Sequence, residues 1–351
     1  MSKKQMISNI ILILAITILV GIVIFSLEDF GSVINVIKYT KYQYILIALG
    51  LLIIYFLLWP VTVIILTRLR TKEIKRRDIF LIGSTEHFFN GITPFSSGGQ
   101  PFEVYAFSQK GIKARDSTGI LMMNFISFMI ATNTFAIASL FFYKSFMSKM
   151  SNFAAVTIIG FSMNFLVLVI IFLFGISKKF SSLIVKLAKL FAKIKPLKKL
   201  IESKIPLLEE YIDGVQEAFK NLMKHKFHFL LCYLINVVKM AVYYAIPFFI
   251  LLSLNVDVGI NDLTYVMLGT SFATTMVVFL PTPGSSGGIE FAFKSIFASL
   301  GVDSIVATSG MLLWRAITFF FPLVLSFICY MIFVGKLKRE NKNKKEEVEV
   351  V

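Results

Sequence analysis

Thr93-Pro94-Phe95-Ser96-Ser97-Gly98-Gly99 and Thr282-Pro283-Gly284-Ser285-Ser286-Gly287-Gly288 are two copies of one seven-residue stretch, agreeing at six positions and lying 189 residues apart. Each interrupts a long apolar segment. Pro removes a backbone donor, Gly loosens the backbone, and Ser sets hydroxyls among Phe, Leu and Ile. Paired Gly/Pro interruptions at corresponding places in two halves of a hydrophobic chain point to a transporter-type binding site.

Working outward, composition agrees. Of 351 residues, 57% are hydrophobic and 16% charged, and the mean hydropathy is +0.80. This excludes a soluble globular protein and predicts an all-α polytopic membrane protein. The apolar runs are continuous rather than alternating, which argues against a barrel. The net charge of +16 lies almost wholly between the runs. It reads as positive-inside topology and attraction to the anionic inner leaflet, not as nucleic-acid binding. Cys232 and Cys329 sit within apolar runs, and His87, His225 and His228 have no ligand spacing, so no disulfide, metal or cofactor is expected.

The runs predict about six full spans: Ile7–Leu27, Tyr44–Leu66, Thr118–Phe142, Phe153–Ile176, Phe227–Leu252 and Gly310–Val334. Arg68, Arg70, Lys72, Lys75, Arg76 and Arg77 mark the cytoplasmic side and place both termini there. Ile79–Gln109, with the first seven-residue copy at its middle, enters from that side and returns to it, ending at Lys110, Lys113 and Arg115. Each limb has roughly 22 Å of helix, short of the ~30 Å apolar core, so a re-entrant hairpin fits; two short full spans are the alternative. Residues 263–300 form the second such segment, entering from the outside. The order span, hairpin, span over 44–142 and 227–334 is then an inverted repeat within one membrane domain, 1–335. Residues 177–226 carry twelve lysines and predict amphipathic helices on the inner leaflet. Residues 336–351 read as a solvated, disordered charged tail.

A hairpin tip exposes helix-end carbonyls and N–H groups that must line a polar cavity. Ser97 and Ser286 are expected to cap the returning helices. The glycines Gly98, Gly99, Gly287 and Gly288 would let a phosphate or carboxylate approach the backbone, and the seryl hydroxyls, Ser96 and Ser285 with them, would add donors. Thr93, Pro94, Thr282, Pro283 and Gly284 shape the tips, with Asn90 and Gln100 as hydrogen-bond partners. Glu86, Glu103 and Glu290 flank the tips, and intramembrane carboxylates are candidates for function. They could hold a cationic head group, carry a coupled proton, or pair with Arg315. Arg315 either binds phosphate or neutralises a glutamate. Lys239 either binds ligand or snorkels to a surface, as does Lys294. Glu103 either belongs to the site or lies at the cytoplasmic interface.

Glu86, Asn90, Thr93-Pro94, Ser97-Gly98-Gly99-Gln100-Pro101 and Glu103, with Pro281-Thr282-Pro283-Gly284, Gly287-Gly288, Glu290 and Arg315, resemble the paired signatures of the lysylphosphatidylglycerol synthase transmembrane, or flippase-like, family over about residues 10–335. In multiple peptide resistance factors this membrane part is associated with moving aminoacylated phosphatidylglycerol to the outer leaflet. A separate cytoplasmic domain there transfers the amino acid from aminoacyl-tRNA. The chain ends at Val351, so the expectation is a membrane part without the transferase.

The expected function is a flippase or carrier of a phospholipid-type head group, such as that of lysyl-phosphatidylglycerol, in a bacterial cell membrane. The alternatives are a phosphatidylglycerol lysyltransferase-type enzyme or its membrane subunit, and a non-transporting scaffold. Expected partners are membrane phospholipids, the cargo lipid and a lipid-synthesis enzyme.

Overall fold

The computed structural model describes residues 30–93, 96–142, 146, 154–191, 205–277 and 288–349. The predicted span Ile7–Leu27, residues Pro94 and Phe95, and the second tip from Thr282 to Gly287 lie outside them. Every element among the described residues is helical. In chain order these are α1 (Phe30–Lys38), α2 (Tyr42–Arg70), α3 (Arg76–Ser84), α4 (Glu86–Gly91), α5 (Gly99–Ser108), α6 (Ala114–Ser139), α7 (Ala154–Ile176), α8 (Lys178–Phe191), α9 (Ile205–Met223), α10 (Lys226–Ser253), α11 (Asp262–Val277), α12 (Gly288–Ser299), α13 (Ser304–Arg315) and α14 (Phe321–Glu349). A 3-10 turn, Leu140–Phe142, extends α6, and a π turn, Ala316–Phe320, joins α13 to α14.

Five helical stretches are long and apolar enough to cross a membrane: Tyr42–Arg70, Ala114–Phe142, Ala154–Ile176, Lys226–Ser253 and Ser304–Glu340. They match five of the six runs in the sequence, four of them longer than the run that announced it and Ala154–Ile176 one residue shorter. Leu46, Ile53 and Leu57 on α2, Ile158, Ile159 and Phe165 on α7, and Val324, Ile328 and Met331 on α14 are exposed. An outer face this apolar suits hydrocarbon rather than water. The protein is a multi-pass helical membrane protein.

The long helices α2 and α10 share the most extensive helix contact and form the centre, with α6 against both. Between α2 and α6 lie the short helices α3, α4 and α5. Between α10 and α13 lie α11 and α12, which pack on each other. The order long helix, broken pair, long helix thus occurs twice. At roughly 24 Å for α3 with α4 and roughly 15 Å for α5, the first pair is too short to span.

Two regions differ from expectation. The lysine-rich stretch is more than a surface feature. Ile212, Val215, Phe219 and Leu222 of α9 are buried against α6 and α7, and Gln216 Nε2 donates to the carbonyls of Phe174 (2.7 Å) and Ser177 (3.2 Å) at the end of α7. Among the described residues of this stretch, α8 keeps an exposed apolar stripe, Leu183, Ile184, Leu187 and Leu190. The tail is helical through Glu349 rather than disordered. Lys and Glu are good helix formers, and its first turns are anchored. Lys336 pairs with Asp78, and Lys110 bridges Glu340 (2.5 Å) and Asp78 (3.5 Å). That network ties both limbs of the first hairpin to the last helix.

Candidate functional site

The helix of the incoming limb breaks at Thr85, between α3 and α4. A break leaves a carbonyl and an amide without helical partners. Both are met by one side chain 238 residues or more away: Ser326 Oγ donates to Ser84 O (2.6 Å) and accepts from Phe88 N (2.8 Å). The break turns Glu86 inward, where it is 5% exposed. Its carboxylate accepts from Trp59 Nε1 (2.5 Å) on α2 and from Asn90 Nδ2 (3.3 Å) one turn on.

The tip of this hairpin closes on itself. Thr93 Oγ1 accepts from Gly98 N (2.8 Å), and Asn90 Oδ1 accepts from Gly99 N (2.8 Å). The incoming limb therefore caps the start of the returning helix, whose cap residue, Gly98, has no side chain to do so. These two N–H groups are occupied rather than open to an anion. Glycine is needed here for close approach: a Cβ at Gly99 would overlap Glu86 Cγ and Asn90 Oδ1, and one at Gly98 would lie 2.6 Å from Thr93 Cγ2. Ser96, the turn residue, takes a positive φ of 49° and is exposed.

Behind the tip is a small polar cavity, on the scale of one water molecule. Its walls are Trp59 of α2, Glu86 of α4, Gln100 and Glu103 of α5, Leu121, Asn124, Phe125 and Phe128 of α6, and Lys239 of α10. Glu103 is fully buried, and among the described residues neither carboxylate oxygen has a hydrogen-bond partner. Asn124 Oδ1 is likewise unpartnered. Lys239 is 2% exposed and does not snorkel. Its ammonium sits 3.7 Å from the Trp59 ring centroid and 4.7 Å from that of Phe128, a cation–π cage. Among the described residues no carboxylate lies within ion-pair distance of it.

Glu290 and Arg315 form a second polar centre. The guanidinium Nε is 2.8 Å from the Glu290 carboxylate, both groups are buried, and the guanidinium lies 4.4 Å from the Phe319 ring. Arg315 thus pairs with a glutamate, as one of its two readings has it. The two centres are linked by packing. A Cβ on Gly91, at the end of α4, would lie 2.6 Å from Leu323 Cδ1 and 3.7 Å from the Phe319 ring. Tyr55 and Tyr243, with ring centroids 5.0 Å apart, bridge α2 to α10, and Tyr243 reaches Trp314 at 6.3 Å. The first hairpin thus abuts the turn that carries Arg315. Gly288 begins α12, and the rest of the second seven-residue copy lies outside the described residues.

Sequence reasoning missed Trp59, Asn124, Phe128 and Ser326. Each sits in an apolar run, and only its long-range partner marks it. His87 belongs to the aromatic wall, 4.5 Å from Trp59 and 5.7 Å from Phe56 by ring centroids.

A helical membrane protein with short helices between its long ones and buried charge behind the first of these pairs defines a class of integral membrane proteins built around an interior polar site. The family model for the lysylphosphatidylglycerol synthase TM region matches residues 10–326, and the chain belongs to that family. Membership points to a role connected with membrane lipid. The chain is also 25% identical to the MG306 homolog of Mycoplasma pneumoniae, covering 90% of this chain and 84% of that protein. It is 24% identical to MG306 of Mycoplasma genitalium, covering 97% and 92%. It is 25% identical to a UPF0104 membrane protein of Archaeoglobus fulgidus, covering 87% and 90%.

Proposed function

We propose that the protein carries a phospholipid-type head group between the leaflets of a bacterial cell membrane, with lysyl-phosphatidylglycerol as a candidate cargo. In this reading the two interrupted segments are re-entrant hairpins entering from opposite sides, the two units form an inverted repeat, and both termini are cytoplasmic. The observation that carries it is the set of buried charged groups, Glu86, Glu103 and Lys239, around one cavity inside an otherwise apolar bundle. Such groups are costly in a membrane interior and are kept where polar matter passes. The cavity is of water size, so a head group enters only when the first hairpin moves away from α2, α6 and α10. Asn90, Gln100 and the two tips would line that path, with Arg315 and Glu290 at its second end. Family membership supports lipid as the cargo class.

The test is a leaflet-resolved assay. Purified protein is placed in vesicles with fluorescent phosphatidylglycerol or lysyl-phosphatidylglycerol, and the fraction open to a membrane-impermeant quencher is followed. Faster exchange than in protein-free vesicles, slowed at least ten-fold by Glu86→Gln or Glu290→Gln in normally folded protein, is expected. Exchange no faster than the protein-free control with either lipid overturns the reading.

A further inference from the structure

We infer that Glu103 is a proton-binding site, taking up and releasing one proton as the first hairpin opens and closes. Glu103 is fully buried, both its oxygens lack a donor, and it faces a cavity with room for about one water molecule. The unpartnered acceptor Asn124 Oδ1 lines the same cavity. An ionised carboxylate there would lie in low dielectric with no donor aimed at it, which costs several kcal/mol. One proton resolves the mismatch: a neutral Glu103 carries no charge to desolvate, and its O–H can donate into the cavity that the unpartnered Asn124 Oδ1 also lines.

The groups that face this carboxyl are few. From α4 they are Glu86, whose carboxylate is held by Trp59 and Asn90, and beyond it His87, one residue along. From α10 comes Lys239. From α6 come Asn124, Phe125 and Phe128, and from α2 Trp59, none of which titrates. Lys239 supplies the second state. With Glu103 neutral, its ammonium rests in the Trp59–Phe128 cage. When the hairpin opens and water reaches Glu103, the carboxyl O–H gives its proton to that water. The resulting carboxylate then attracts the Lys239 ammonium out of the cage. Proton release and hairpin position are thereby linked through one lysine.

Infrared spectroscopy of the purified protein tests the proton site without any cargo. The difference between wild type and Glu103→Gln is expected to contain a carboxylic-acid carbonyl band that shifts in heavy water, while Glu86→Gln keeps it and Glu103→Asp retains it at a displaced frequency. A difference containing only carboxylate bands, at every pH where both proteins elute as folded species, overturns the proposal. So does loss of the acid band when sodium replaces potassium, which would assign the site to a metal cation. The coupling rests on the carrier reading and has its own arm. In the vesicle assay an imposed pH gradient is expected to change the wild-type exchange rate several-fold, and that ratio falls to one in Glu103→Gln. A wild-type ratio of one overturns the coupling. Absence of any wild-type exchange would fell the carrier reading, and the infrared result would then decide the proton site by itself.

Discussion

Two carboxylates stand just beyond the two tips, and the protein treats them oppositely. Glu290 has a guanidinium at 2.8 Å, while Glu103 has no partner for either oxygen. Both are buried, so desolvation is common to them and the difference lies in the neighbour. Arg315 gives the second centre an ion pair that ties α12 to α13. The first centre keeps its positive charge, Lys239, on aromatic rings instead of on a carboxylate. A paired charge fixes a position, and an unpaired one retains the capacity to bind.

The largest effect that probes this contrast is expected from Arg315→Ala. Removing one member of a buried pair strands the other and costs about 3–5 kcal/mol. Thermal unfolding in detergent should show it, and adding Glu290→Ala should recover much of the loss. A cost below about 1 kcal/mol would mean that Glu290 is no more dependent on its partner than Glu103. Next comes Trp59→Phe, which keeps a ring beneath Lys239 but deletes the donor to Glu86. A loss of about 1.5–3 kcal/mol is expected for a hydrogen bond to a charged group. The smallest effect should come from Glu103→Gln. No hydrogen bond seen among the described residues is removed, and the new amide can donate into the cavity that the unpartnered Asn124 Oδ1 lines, so stability should change by less than about 1 kcal/mol. A loss of 2 kcal/mol or more on the same measurement would show that Glu103 has a partner after all.

Much of the fold was readable because its cause is local. A continuous apolar run has one stable form in hydrocarbon, the helix. The spans of α2, α6, α7, α10 and the last helix were therefore visible from run length, and the first interruption from Thr93 to Gly99 was visible from its Gly and Pro. What escaped depends on pairs far apart in sequence. Ser326 looks like a stray hydroxyl until the break at Thr85, some 240 residues earlier, presents it with an amide and a carbonyl. Trp59 is one more aromatic in an apolar run until Glu86 and Lys239 reach it from two other helices. Asn90 and Thr93 were recognised as tip residues, but the idea that the tip's N–H groups stand open to an anion fails because these side chains fill them. The insert was read as surface because its lysines dominate the pattern; the buried face of α9 is spread over Ile212, Val215, Phe219 and Leu222, and it has meaning only against α6 and α7.

The π turn at Ala316–Phe320 gives the last helix an unusual office. Pro322 lacks an N–H for the carbonyl of Thr318 and crowds it, and Phe321 N reaches back five residues to Ala316 O. Such a widened turn is weaker than the regular coil on either side. Above it the helix grips Glu290 through Arg315; below it Leu323, Ser326, Phe327 and Tyr330 clasp the first hairpin. One rod thus carries two grips with the proline-widened turn between them. On the proposed carrier reading, this turn is where bending would swing one grip while the other stays clasped.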